Sequence, residues 1–173
     1  MITPAQQAAL KQVYAAALAS GVPFPDAQTC EVMVETTWLT SELGVADCNL
    51  FGMRQHVHPK WGTVNLPTNE FLGGRWVRMN AAFVKYPNMA ASFQDRMDTL
   101  TALAPQYPHY AAALAAKTPE EWLTQVSQTW STGPTRATTC ISILHSHQDV
   151  FHPAVPMPVT PIPIPTEAAS GNS

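Results

Sequence analysis

The chain has 173 residues, 46% of them hydrophobic and 12% charged, with a formal net charge of −3. That is enough apolar material for one domain with a sizeable core but not for a second folded unit. The near-balanced charge excludes the broad basic surface of a nucleic-acid binder or of a protein held on anionic membranes.

Thr3 to Ser20 reads as a helix, with Thr3 as N-cap, Pro4 at the first helical position and Gly21 just past the end. Leu10, Val13, Tyr14, Ala17 and Leu18 form its apolar stripe. Pro23 and Pro25 make a turn, and Asp26 supports the start of the next helix. There Val32, Met33, Leu39 and Leu43 can share a buried side, and the helix is expected to run through Thr40-Ser41-Glu42 to Gly44 as a C-terminal cap. Glu35 sits among Val34, Trp38 and Leu39. A carboxyl group against such a wall has its neutral form favoured, which a general acid needs. Asp47 to Gly52 is a tight, partly apolar loop.

From Met53 to Pro67 the composition is mixed; then Thr63–Leu72 and Arg75–Tyr86 flank Gly73-Gly74, a hairpin signal. This places Glu70 beside the turn and Trp76, Val77, Ala82 and Phe83 on the returning strand. Helical patterns follow over 90–103, 107–116, 118–129 and 134–151, the third opened by a Thr118-Pro119-Glu120-Glu121 capping box. Trp122, Val126 and Trp130 form its stripe; Ile141, Leu144, Gln148 and Phe151 mark the last. The division expected is a folded domain over 1–152 and a Pro-rich extended tail over 153–173.

Glu35-Thr36-Thr37-Trp38-Leu39-Thr40-Ser41 followed by Asn49-Leu50-Phe51-Gly52 resembles the E-[ST]-G-W-G-x-S…N-L-F-G signature of glycoside hydrolase family 73, the lysozyme-like glucosaminidases that cut peptidoglycan. Thr68-Asn69-Glu70, Phe83 to Pro87 and Ser92 to Asp95 extend the likeness, which covers about residues 5–150. The resemblance implies a mainly α, lysozyme-like α+β domain with a small β-hairpin lobe. It implies Glu35 and Glu70 as catalytic residues and a sugar groove that draws on Trp38, Asn49, Phe51, Trp76, Tyr86 and Trp130. Thr37 and Leu39 stand where the family has glycine, so the backbone there is expected to manage without glycine's freedom. Trp130-Ser131-Thr132-Gly133-Pro134 stands where the family has Tyr-Ala-Thr-Asp-Pro, so Trp130 can stack on a sugar but brings no phenolic hydroxyl.

Glycosidic cleavage needs a proton for the leaving oxygen and negative charge near an oxocarbenium-like centre, usually from two carboxyl groups. Glu35 is the expected acid and Glu70 the second group; Asp95 and Glu42 read as structural. Inversion, retention and attack by the substrate's own N-acetyl group all stay open. The function expected is endo-β-N-acetylglucosaminidase action on the peptidoglycan glycan strand, with no cofactor. The alternatives are a muramidase or a non-catalytic module that kept the groove. Zinc held by His56 and His58 with Cys48, or by His145 and His147, is a rival constellation without an H-E-x-x-H or paired C-x-x-C motif. A cysteine nucleophile at Cys30 or Cys48 is another; the three cysteines otherwise read as core or near-core thiols and not as a disulfide framework.

The first residues lack the charged and apolar regions of a signal peptide, and no segment is apolar for long enough to cross a bilayer. Cytoplasmic synthesis is expected, followed by phage-type release or dedicated export to the cell wall. The Pro-rich tail is the segment expected to meet a secretion or lysis partner; no nucleic-acid or membrane partner is expected.

Overall fold

The computed structural model describes residues 2–54, 60–130 and 133–153, and the side chains of 69–72 and 76 lie outside what it describes. His56, His58 and the tail beyond Pro153 fall outside the described residues.

Helix α1 spans Pro4–Ser20. The Thr3 hydroxyl accepts from the Gln6 amide, the Gln6 side chain accepts in return from the Thr3 amide, and Gly21 closes the helix at φ 68°. That reciprocal cap satisfies two of the donors a helix start leaves open. Leu10, Val13, Tyr14 and Ala17 are buried, but Leu18, expected beside them, is 52% exposed. Helix α2, Pro25–Glu35, is the centre of the molecule. Every residue from Asp26 to Met33 is buried, because α1 and the helices over Pro119–Trp130 and Arg136–Ser146 pack around it.

The expected run through Thr40 to Gly44 does not form. Helix α2 stops at Glu35, and Thr37, Trp38 and Leu39 take left-handed φ values of 51°, 60° and 57°. Thr36 ends the helix: its hydroxyl donates to the Val32 carbonyl and accepts from the Leu39 amide, while its carbonyl accepts from the amides of Thr40 and Ser41. The short helix α3, Glu42–Ala46, then starts afresh with Ser41 as N-cap. Gly44 is thus not a C-terminal cap. It lies buried inside α3, where a Cβ would come within 2.9 Å of the Thr36 methyl group.

Strands β1, Thr63–Leu72, and β2, Arg75–Val84, form the expected antiparallel hairpin across Gly73-Gly74. Its base is tied to the body by the Val84 amide donating to the Met53 carbonyl, by Asn49 Nδ2 donating to the Val84 carbonyl, and by Lys85 pairing with Asp47 at 3.1 Å. Helices α4 (Met89–Leu103), α5 (Pro108–Leu114) and α6 (Pro119–Trp130) complete the wall. Thr118 caps Glu121 as expected, although the Glu121 carboxylate reaches the Lys117 amide, one residue upstream of the capping-box partner. The last expected helix is broken at His147 (φ −130°) into α7, Arg136–Ser146, and α8, Gln148–Phe151. That break lets Phe151 turn onto Tyr14, whose hydroxyl donates to the Phe151 carbonyl at 2.8 Å. No helix among the described residues is long and apolar enough to cross a membrane.

Candidate active site

Glu35 is the last residue of α2, with 24% of its side chain exposed. Its neighbour differs from the apolar wall read from sequence. Arg136 at the start of α7 donates from Nε to Glu35 Oε1 at 2.8 Å. The same guanidinium donates from Nη1 to Glu31 Oε1 at 3.1 Å and to Ser127 Oγ at 2.9 Å. One arginine therefore spans two glutamates set one helical turn apart.

Glu31 is fully buried and is the charged centre of the core. Arg96 grips it bidentately at 2.6 Å from both Nη1 and Nη2, and the Trp122 indole donates to it at 3.1 Å. With Arg136 this makes four donors on one carboxylate, drawn from α4, α6 and α7. Burial alone would push the Glu31 carboxyl group up, but Arg96 and Arg136 more than offset it and hold the group below its ordinary value. The guanidinium carbon of Arg96 lies 4.2 Å from the Phe51 ring centroid and 4.8 Å from that of Trp130, so its charge is wrapped in aromatic faces. Among the described residues, Arg96 Nε and Arg136 Nη2 are buried without a hydrogen-bond partner.

Sequence reasoning missed this network. Its signal was slight: a second glutamate four residues before Glu35, between Cys30 and Val32, in a chain with few charges. Which arginines would meet it was not readable.

The groove residues divide. Phe51 and Trp130 come together and line a cleft of about 290 Å³ with Met53, Arg54 and Tyr110. Tyr110, not singled out from sequence, stands 6.3 Å from Trp130, centroid to centroid. Trp38 is elsewhere: it faces a groove of about 650 Å³ beside Ala5, Ala9, Val45 and Met89 and meets His147 edge-on at 6.1 Å. Asn49 and Tyr86, expected in the groove, are buried. Asn49 donates to the carbonyls of Met53 and Val84 and accepts from the Met53 amide, so its side chain ties the loop to the base of β2. The Tyr86 hydroxyl donates to Asp95 at 2.5 Å; burial and that carboxylate push its pKa upward, and its ring packs edge-on against Trp61. Both are braces in this fold, and Asp95 is structural as read. Glu70 lies in β1 opposite Val77 and Trp76 in β2 opposite Phe71, with side chains outside the described residues.

Of the rival constellations, the zinc reading on His56 and His58 falls outside the described residues. No group of three or more His, Cys, Asp or Glu able to hold a metal occurs among the described residues, and His145 Nε2 lies 2.8 Å from Glu120. Cys30 and Cys140 are buried and Cys48 half-buried. Burial pushes all three thiols up, Cys140 to about 12, which is the reverse of an activated nucleophile.

A mainly helical body with a β-hairpin lobe and a glutamate closing the central helix is the lysozyme-like arrangement of carbohydrate-cleaving domains. The family model described as mannosyl-glycoprotein endo-beta-N-acetylglucosaminidase matches residues 10–149, and the chain belongs to this glucosaminidase family, glycoside hydrolase family 73. A protein of Lactococcus lactis subsp. cremoris named probable N-acetylmuramidase is 34% identical over 95 residues, 54% of this chain and 21% of that protein. An autolysin of Enterococcus faecalis is 33% identical over 91 residues, 51% of this chain and 12% of its own length. The aligned stretch thus spans about a fifth or less of these relatives. Among solved structures, the catalytic domain of the Listeria monocytogenes autolysin Auto superposes with a TM-score of 0.72 at 22% identity, covering 87% of this chain and 89% of that one. The glycoside hydrolase domain of Salmonella typhimurium FlgJ gives 0.63 at 22% identity, covering 83% and 97%.

Proposed function

We propose that this chain is a peptidoglycan hydrolase that cleaves β-1,4 bonds of the glycan strand as an endo-β-N-acetylglucosaminidase, with Glu35 as general acid. The observation that carries the reading is Glu35 itself: the glutamate of the family signature, at the end of the central helix, partly exposed and held by a buried arginine. In this reading Glu35 protonates the leaving oxygen while Glu70 on the hairpin supplies negative charge toward the oxocarbenium-like centre. The cleft walled by Phe51, Tyr110 and Trp130 offers an aromatic surface to a sugar ring, with Trp130 as its partly exposed member. The relatives' names favour a second reading, N-acetylmuramidase, which uses the same carboxyl chemistry on the alternate bond.

Digestion of purified peptidoglycan, borohydride reduction and mass spectrometry of the new sugar ends separates the two. Reduced N-acetylglucosamine ends are expected from the wild type, and at least a hundredfold fewer from Glu35→Gln or Glu70→Gln. Reduced N-acetylmuramic ends would move the specificity to the second reading. Undiminished product from Glu35→Gln would remove Glu35 as the acid, and binding without turnover by the wild type would leave only a sugar-binding module.

A further inference from the structure

We propose that Arg136 is a positioning residue for Glu35 and that buried Glu31 is the counter-charge that limits how firmly Arg136 holds it. The proposal rests on the reading of Glu35 as the catalytic carboxyl group.

The geometry begins with the planarity of the guanidinium. Nη1 of Arg136 is fixed by Glu31 and Ser127, and only 3% of the side chain is exposed, so the direction of its Nε–H is fixed as well. Glu35 Oε1 sits on that N–H at 2.8 Å. Glu35 is the last helical residue, and after Thr36 the chain takes three left-handed residues, so its own helix gives it little support on the downstream side. An exposed glutamate in that place would sample several rotamers, and the arginine selects one.

The charges decide the rest. Facing Glu35 across this cluster are Arg136 and Cys140 from α7, Arg96 from α4 and Glu31 from α2; of the neutral α6 side chains, the Trp122 indole donates to Glu31 and the Ser127 hydroxyl accepts from Arg136. The Cys140 thiol is neutral at any ordinary pH, since its pKa is raised to about 12. With both carboxylates ionised the two guanidiniums are balanced. When Glu35 takes up a proton, Arg136 stays paired with Glu31 and no buried cation is left bare. Without Glu31, the full attraction of Arg136 would fall on Glu35 and hold it as carboxylate, the wrong form for an acid. Without Arg136, Glu35 would lose its own cation while Arg96 stays paired with Glu31, and the carboxylate would be less favoured. The two deletions must therefore displace the same limb of the pH–rate profile in opposite directions, which a general loss of structure would not do.

The test measures kcat and kcat/KM against pH on soluble peptidoglycan fragments for the wild type, Glu35→Gln, Arg136→Gln, Arg136→Lys and Glu31→Gln, each checked for a native near-UV circular dichroism spectrum. Glu35→Gln is expected to be inactive. Arg136→Gln is expected to lose about 10- to 100-fold in kcat, with its alkaline limb moved up. Glu31→Gln is expected to move that limb the opposite way. Arg136→Lys restores the limb by keeping the charge but not kcat, because a single ammonium cannot reproduce the fixed fork. A second measurement needs no substitution: in the wild type the Arg136 Nε–H nitrogen resonance should titrate with the midpoint of the alkaline limb. If Glu35→Gln is inactive while folded Arg136 and Glu31 variants keep the wild-type limb and kcat, the proposal is overturned and the role of Glu35 stands. If variants fail to fold, a resonance unchanged across that pH range overturns it. An active Glu35→Gln overturns both.

Discussion

Glu31 shows how one side chain can organise a core. A lone ionised carboxylate in a fully buried site would be untenable, but four donors from three helices saturate its oxygens, so its removal costs more than its presence. Glu31→Gln leaves buried Arg96 without its carboxylate and Arg136 with Glu35 and Ser127 alone, and is expected to lower the unfolding free energy by about 3–5 kcal/mol at neutral pH. Because the folded pKa of Glu31 lies below the unfolded one, its contribution is fully present above the unfolded carboxylate range and is lost as pH falls through the lowered folded value. Urea titrations at pH 7 and pH 3 should therefore show the wild type weakening in acid. The gap between wild type and Glu31→Gln should narrow there; an equal gap at both pH values would contradict the assignment.

At the scale of an element, the turn after α2 runs against local preference. Sequence reading expected the backbone at Thr37 and Leu39 to manage without glycine's freedom, yet both take φ above 50°, with Trp38 between them. Each such residue costs roughly 1–2 kcal/mol, and a β-branched threonine is among the least suited. The turn persists because Thr36 ties five local hydrogen bonds into it and because Gly44 of α3 packs against the Thr36 methyl. Thr37→Gly is thus expected to raise stability by about 1 kcal/mol, less than the full strain because glycine is freer when unfolded, while Thr37→Ala gains nothing. Thermal unfolding of the two variants beside the wild type reads this directly.

Across the whole molecule, stability is divided unevenly. Helices α2, α4, α6 and α7 meet on Glu31 and Arg136, whereas the hairpin is joined at its base through the 47–54 loop and Lys85. The hairpin can therefore open without unfolding the body. In native-state hydrogen exchange, amides of β1 and β2 toward Gly73-Gly74 should exchange well before those of α2 and α6. Exchange of hairpin and helices with one common free energy would show a single cooperative unit instead.

Local rules were legible from the residues alone: the Thr3 cap and Gly21 stop of α1, the hairpin across Gly73-Gly74 and the start of α6 at Thr118, because caps and turns act over a few neighbouring residues. The sequence left open whatever depends on which helices meet. The break at His147 follows from Phe151 docking on Tyr14, 137 positions away. Asn49 and Tyr86 became braces because their partners, Val84 and Asp95, lie on other segments. The charge environment of Glu35 was misread for the same reason: Trp38, adjacent in sequence, turns into another groove, while Arg136, 101 positions on, supplies the neighbour. Side-chain electrostatics decay over a few ångströms of space, and only the packing of α2 against α4, α6 and α7 decides which charges come that close.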